Sequence, residues 1–343
     1  MTTFNKTELA AKFGLVKNVI AKTSTLNHLK MLNVRVNKNK FKLTGSNGEI
    51  QVTATGECNG SESFNVCVLP STFSVMLGSA KNDIIIRVQD SVMSTLSGKS
   101  TFNISCIDGD LYPLLKIDGN VNKFNLRELI VSVYKGSSKN QSTPNLCGTL
   151  IDIKDGIVNA VATDSRIMFV NKESINAEDS QVIIPNLSAE YLASNDTDGF
   201  LVSGNALKAT SEQNNIEIIC KLIDAKYPDW RRVVSVYDKT FTVDLDELVG
   251  AVSTINKIES IVSVNLKSSD DVMNVSARDK SGQSFMSEIE FDGDEVDIAA
   301  SPENLLKCLQ SVDCDKITIG FDDKKGIQSI NGNHMFFLSG YKQ

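Results

Sequence analysis

Residues 158–170 read VNAVATDSRIMFV, two short apolar runs around a polar centre of Thr163, Asp164, Ser165 and Arg166. Hydroxyls, a carboxylate and a guanidinium side by side resemble catalytic equipment. The same residues also suit the tight turn of a hairpin, because Asp side chains bond the backbone just ahead of them. Two other stretches decide between these readings. KLTGSNGEIQV (42–52) and NVSARDKSGQSF (274–285) carry Asn47 and Asp279 where the first carries Asp164. Three copies of one stretch in one chain favour a structural turn over an active site.

The repeat extends well beyond the turn. FNKTEL starts at Phe4, FNLREL at Phe124 and VDLDEL at Val243. An apolar strand, a proline and a helical pattern also recur, as VCVLPSTFSVML (66–77), VIIPNLSAEYL (182–192) and DIAASPENLLKCL (297–309). Pro70, Pro185 and Pro302 fit the first turn of a helix, where the N–H that proline lacks would be unpaired anyway. A sequence period above 100 residues marks repeated domains rather than a solenoid.

Each repeat holds two helices among many short strands. The first helix shows helical apolar spacing at Leu9, Phe13, Val16 and Ile20. The pattern returns at Leu126, Leu129, Ile130 and Val133, and again at Leu245, Leu248, Val252 and Ile255. DIIIRVQD (83–90), STFNISCI (100–107), NIEIICKLI (215–223), SVNLKSS (263–269) and DKITIGF (315–321) are short and rich in β-branched residues, as strands are. The expectation is an α+β chain of three domains, 1–117, 118–239 and 240–343, each with two helices on antiparallel sheets. Opposite the core, the first helices present small and polar residues with scattered lysines: Thr7, Ala11, Gly14, Asn18 and Lys22; Lys135 and Lys139; Gly250, Thr254 and Lys257.

Composition narrows the function. The 343 residues carry a net charge of -7, which argues against a protein that coats nucleic acid with a basic surface. No run approaches the roughly 20 apolar residues of a membrane helix, and MTTFNKTELAAKF has no apolar signal core. The seven cysteines are odd in number and form no C-x-x-C, so reduced thiols in the cytoplasm are expected. His28 and His334 are the only histidines, which leaves few metal ligands and general bases; no metal or cofactor is expected.

Catalytic motifs fail on inspection. SGKST (97–101) would need a glycine five residues before Gly98, where Met93 stands, and a helix after it rather than the alternating TFNISCI. DGDEVD (292–297) lacks the sixth-place glycine of a calcium loop. Ser165 is not in G-x-S-x-G. An enzyme using Asp164 and Arg166 is the alternative to a non-catalytic reading, and a structural or capsid-associated oligomer is a third.

One family fits the combined pattern. VATDSRIMFV (161–170), preceded by LCGTLIDI (146–153) and followed by VIIPNLSAEYL and YPDWRRV (227–233), resembles the middle domain of the DNA polymerase III beta subunit, the bacterial sliding clamp. KLTGSNGEIQV, TFNISCIDGDLYPLL (101–115) and the triple repeat extend the resemblance over the whole chain. The Lys-, Asn- and Ser-rich composition and divergent ends point to a phage or an AT-rich bacterial lineage.

The resemblance implies two three-domain subunits joined head to tail in a closed ring around duplex DNA, with helices lining the hole. Lys22, Lys81, Lys135, Lys139 and Lys257 would then face DNA without reading its sequence. A pocket for short apolar peptides of the polymerase, the ATP-dependent clamp loader and other replication and repair proteins would include Leu146, Thr163, Ser165, Arg166 and Met168. Pro228 and Val233 would join it from YPDWRRV, and Met335 and Phe337 from the C-terminal strand. Phe102 and Ile104 would meet Ile255 and Ile258 at the homodimer joint. Two departures stand out: Ser165-Arg166-Ile167 lacks the family's histidine, and the tail MFFLSGYKQ (335–343) runs long.

Overall fold

The computed structural model describes residues 1–234, 237–269, 271–322 and 326–340, so the last three residues of the MFFLSGYKQ tail lie outside the described residues. Six α-helices occur among the described residues: α1 (Lys6–Val16), α2 (Pro70–Ser79), α3 (Leu126–Val131), α4 (Asn186–Ala193), α5 (Leu245–Asn256) and α6 (Pro302–Leu309). Their starts follow local chemistry. The repeated Asn/Asp-x-x-Glu is a helix N-cap: Asn5 Oδ1 accepts the Glu8 N–H at 3.0 Å, and Asp244 Oδ1 accepts the Glu247 N–H at 3.0 Å. Pro70 and Pro302 are the first residues of α2 and α6, while Pro185 stands one residue before α4. The helix α3 is shorter than its apolar spacing implied. It gives way to a 3-10 turn at Tyr134–Gly136, after a β-branched run that favours helix weakly.

Chain contacts divide the molecule into two compact units, Met1–Leu126 with Asp196–Leu222, and Arg127–Asn195 with Ile223–Gln343. Each carries one antiparallel sheet of twelve described strands. Within the first unit, strand Ile50–Gly60 pairs with Ile216–Lys221, Val52 opposite Ile218. Within the second, strand Ile167–Ser174 pairs with His334–Ser339, Met168 opposite Phe337 and Val170 opposite Met335. The middle repeat therefore gives strands to both units.

Each unit buries its helices' apolar stripes. Phe13 of α1 and Phe73 of α2 lie 5.1 Å apart in the first unit. Leu248, Val252 and Ile255 of α5, with Leu305, Cys308 and Leu309 of α6, are fully buried in the second. Each of these valine, leucine and isoleucine side chains contributes about 1.5–3 kcal/mol over exposure. The opposite faces are as the periodicity implied: Thr7, Ala11, Gly14, Gly250 and Thr254 are exposed. Nothing lies within 4 Å of where a Cβ would stand on Gly14, Gly78 or Gly250, so backbone is bare along those faces.

Two expectations need correction. Strand Ser100–Asp108 turns Phe102, Ile104 and Cys106 to one side as its period requires, but that side is the core: Ile104 is 3% exposed, and Phe102 is half-buried. Ile255 is 0% exposed inside the second unit. Neither isoleucine is free to meet another subunit. Ile258, past the end of α5, is half-buried. Among the described residues, no helix is long and apolar enough to cross a membrane.

Candidate functional site

The stretch that resembled an active site is a turn held by its own side chains. Thr163 Oγ1 accepts the Ser165 N–H at 3.1 Å and donates to the Ile167 carbonyl at 2.6 Å. Asp164 Oδ1 accepts the N–H groups of Arg166 and Ile167 at 2.8 and 2.9 Å. The first repeat makes the same four bonds, with Ser46 for Thr163 and Asn47 for Asp164. In the third, Asp279 Oδ1 accepts from Ser281 and Gln283 at 2.9 and 2.8 Å. Gly48 and Ser165 both adopt positive φ, 93° and 76°, as this turn demands. SGKST is a two-residue hairpin as well, with Ser97 opposite Ser100 and Gly98 at φ 60°.

Beside the middle turn lies an apolar cavity of about 300 Å³. Eight of the nine residues named from the sequence line it: Leu146, Thr163, Ser165, Arg166, Met168, Pro228, Val233 and Phe337. The ninth, Met335, packs behind the lining in one buried cluster with Leu146, Met168 and Phe337. The pairing of Met168 with Phe337 joins the turn to the C-terminal strand and settles the register of the tail. The sequence reading missed the aromatic lining of Tyr227, Trp230 and Tyr237. All three lie in or just after YPDWRRV, so aromatic content near an identified wall was the available signal. Burial pushes the Tyr227 phenol well above its usual range, and its hydroxyl donates to the Val161 carbonyl at 3.4 Å. The site has apolar walls with a few polar groups at the rim, which suits anchoring of aliphatic and aromatic side chains.

A larger polar hollow of about 820 Å³ shares Leu146, Ser165 and Arg166 with it. Lys135, Lys139, Glu303 and Lys307 line that hollow. Lys307 donates to Glu303 at 2.6 Å, and that bond holds the Glu303 carboxyl below its ordinary range.

The five lysines named for DNA are all exposed. Only Lys257 belongs to a helix end, as the C-cap of α5. Lys22 follows a 3-10 turn after α1, Lys81 lies just past α2, Lys135 sits in the 3-10 turn after α3, and Lys139 is in the loop beyond.

The comparisons with known proteins agree in direction. Residues 2–116 match the family described as DNA polymerase III beta subunit, N-terminal domain, and residues 120–229 match its central domain. The chain is similar to a beta sliding clamp of Halalkalibacterium halodurans, 24% identical with 89% of each chain covered. It is also similar to one of Vibrio cholerae, 21% identical with 94% of this chain and 93% of that one covered. Among solved structures, the sliding clamp of Bacillus subtilis superposes with a TM-score of 0.92 at 18% identity, covering 100% of this chain and 99% of that one. A Pseudomonas aeruginosa clamp bound to griselimycin gives 0.92 at 20% identity, covering 100% of both. The repeated fold, the turn and the two matched domains together place this chain in the DNA polymerase III beta-subunit family of sliding clamps.

Proposed function

We propose that this chain is a DNA sliding clamp, a non-catalytic processivity factor that encircles duplex DNA and tethers a DNA polymerase. The observation that carries the reading is the apolar cavity built on the middle turn, in a chain of this family. The catalytic alternative has no support: Asp164 spends its carboxylate on two backbone N–H groups of its own turn.

In this reading the subunit has domains 1–117, 118–239 and 240–343, and two subunits close a ring. The joint would use backbone as much as side chains. Strand Ser100–Asp108 pairs with Val92–Ser97 along its first half, but with Phe64–Val68 only at Cys106–Asp108. Strand Asp297–Ala300 ends the other sheet. Two open sheet edges would invite pairing between copies, and Phe102 and Ile258 would take part in it. Lys22, Lys81, Lys135, Lys139 and Lys257 would contact phosphates, and the bare backbone at Gly14, Gly78 and Gly250 would let the duplex pass closely. An acidic body with sparse lysines holds DNA weakly, so ring closure rather than affinity would retain it.

The cavity would take short peptides of the polymerase, of an ATP-dependent clamp loader and of other replication and repair proteins, in the cytoplasm. Griselimycin, named as bound to the Pseudomonas aeruginosa clamp, is a ready competitor to test there. The deciding assay loads the protein on nicked circular DNA with a bacterial clamp loader and ATP. The reading expects retention through gel filtration and release when the circle is cut. Equal retention on linear DNA contradicts it.

A further inference from the structure

The wall of the cavity that comes from YPDWRRV has no strand or long helix to hold it. Its one regular element is a single 3-10 turn, Trp230–Arg232. What fixes that turn is an acid from far away in sequence. Asp152 sits in strand Gly148–Lys154, two residues past Leu150, so its side chain shares the face that carries the pocket cluster. Its side chain is only 6% exposed. One oxygen, Oδ2, accepts the Trp230 indole N–H at 3.0 Å and the Arg231 guanidinium at 2.7 Å. The guanidinium in turn lies 4.5 Å from the Trp230 ring centre. Carboxylate, indole and guanidinium close a triangle, and both of its bonds involve the ionised carboxylate, the stronger class of hydrogen bond.

We infer that Asp152 is the positioning residue of the docking pocket: it holds Trp230 and Arg231, and through them sets where Pro228 and Val233 stand. The inference rests on the reading of this cavity as a peptide site. Trp230 is 7% exposed and lines the cavity, while Val233 is 52% exposed at its rim. An acid on the apolar side of a sheet is costly unless it is bonded, and here both bonds go to the Trp230–Arg232 turn. A wall fixed before binding spares the peptide the cost of ordering it. A wall loosened by about 1 Å loses that advantage.

Trp230 is the chain's only tryptophan, so its emission reports this wall alone. The test uses the full chain, Asp152→Asn, and Arg231→Gln as a second variant that leaves the strand untouched. Two readouts are taken well below the thermal midpoint. Acrylamide quenching of Trp230 is measured without ligand. Dissociation of a fluorescein-labelled hexapeptide with adjacent leucine and phenylalanine is measured by polarisation. The expected result is quenching about twofold greater in both variants and peptide affinity about tenfold weaker, mostly through faster release. A merely structural role would lower the thermal midpoint and leave release at low temperature unchanged, which overturns the inference. Unchanged quenching overturns it as well. If the unsubstituted chain binds neither the hexapeptide nor griselimycin, the docking reading fails, and the peptide-positioning role falls with it. Greater quenching in the variants would then show only that Asp152 holds the turn, so the two failures are told apart.

Discussion

The turns at Ser46–Ile50 and Thr163–Ile167 share all four of their hydrogen bonds and differ in what stands beside them. After the first turn comes Gln51; at the same place after the second comes Met168. Gln51 is 3% exposed and bonds in both directions to one residue: its Nε2 donates to the Leu115 carbonyl at 3.1 Å, and its Oε1 accepts the Leu115 N–H at 2.8 Å. Leu115 ends the stretch Tyr112–Leu115, the first repeat's counterpart of Tyr227–Trp230. So one repeat ties this segment down on the turn with an amide. The other gives the position to a thioether that makes no such bonds, and a cavity lies beside it. The strands before the turns differ in the same sense. Arg35 reaches Asp110 across an exposed 3.5 Å pair in the first repeat, while buried Asp152 takes Trp230 and Arg231 in the middle one. The turn is common scaffold, and the side chains beside it differ: an amide bonded to the next segment in one repeat, a thioether lining a cavity in the other.

Swapping those side chains should affect each region separately. Met168→Gln puts an amide without partners into an apolar wall, and peptide affinity measured by polarisation should fall about 30- to 100-fold. Gln51→Met removes both bonds to Leu115 and should lower the stability of its unit by about 2 kcal/mol, read as faster hydrogen exchange around residues 109–117. Peptide binding should stay as it was.

Acid should separate the two regions next. His334 starts the strand that carries Phe337, and its Nε2 lies 3.0 Å from Ser311 Oγ. Burial lowers its pKa from the ordinary 6.5 to about 4. Between those values the unfolded chain binds a proton that the folded chain excludes. The stabilisation is complete above about pH 6.5 and is lost as pH falls towards 4, by about 1–2 kcal/mol at pH 5. Protection factors in strands 167–174 and 334–339, which correct for the slower intrinsic exchange in acid, should therefore fall on acidification, and His334→Gln should flatten the dependence.

The turns themselves should respond alike. Asn47→Ala and Asp164→Ala each remove an acceptor of two backbone bonds, at about 1–2 kcal/mol of local stability by hydrogen exchange. A loss confined to Asp164 would break the equivalence. The smallest effect belongs to the lysines. Each of Lys22, Lys81, Lys135, Lys139 and Lys257 changed to Ala should reduce the salt slope of duplex binding by up to about 0.9.

Much of this was legible in the residues. The turn repeats, the prolines and the helix stripes are local patterns, and they located the elements; the resemblance carried by the middle-repeat motifs implied eight lining residues of the cavity. What they left open depends on distant partners. The resemblance puts Phe102 and Ile104 at the joint, but which face of strand Ser100–Asp108 meets the core depends on the sheet and helices packed there, and they bury Ile104. Ile255 suffered the same ambiguity at the end of an apolar stripe. Asp152 lies 78 residues from Trp230 in sequence, and nothing local in LIDI announces an acid that will hold an indole. The split of the middle repeat between two units is likewise set by pairings such as Val52 with Ile218 and Met168 with Phe337, each joining segments far apart in the chain.

The most direct test of the central claim is the mass in solution, by light scattering across a dilution series. The account predicts a particle of twice the 37.4 kDa chain mass that persists on dilution, the two-subunit ring. A monomer at every concentration would contradict the self-closing ring.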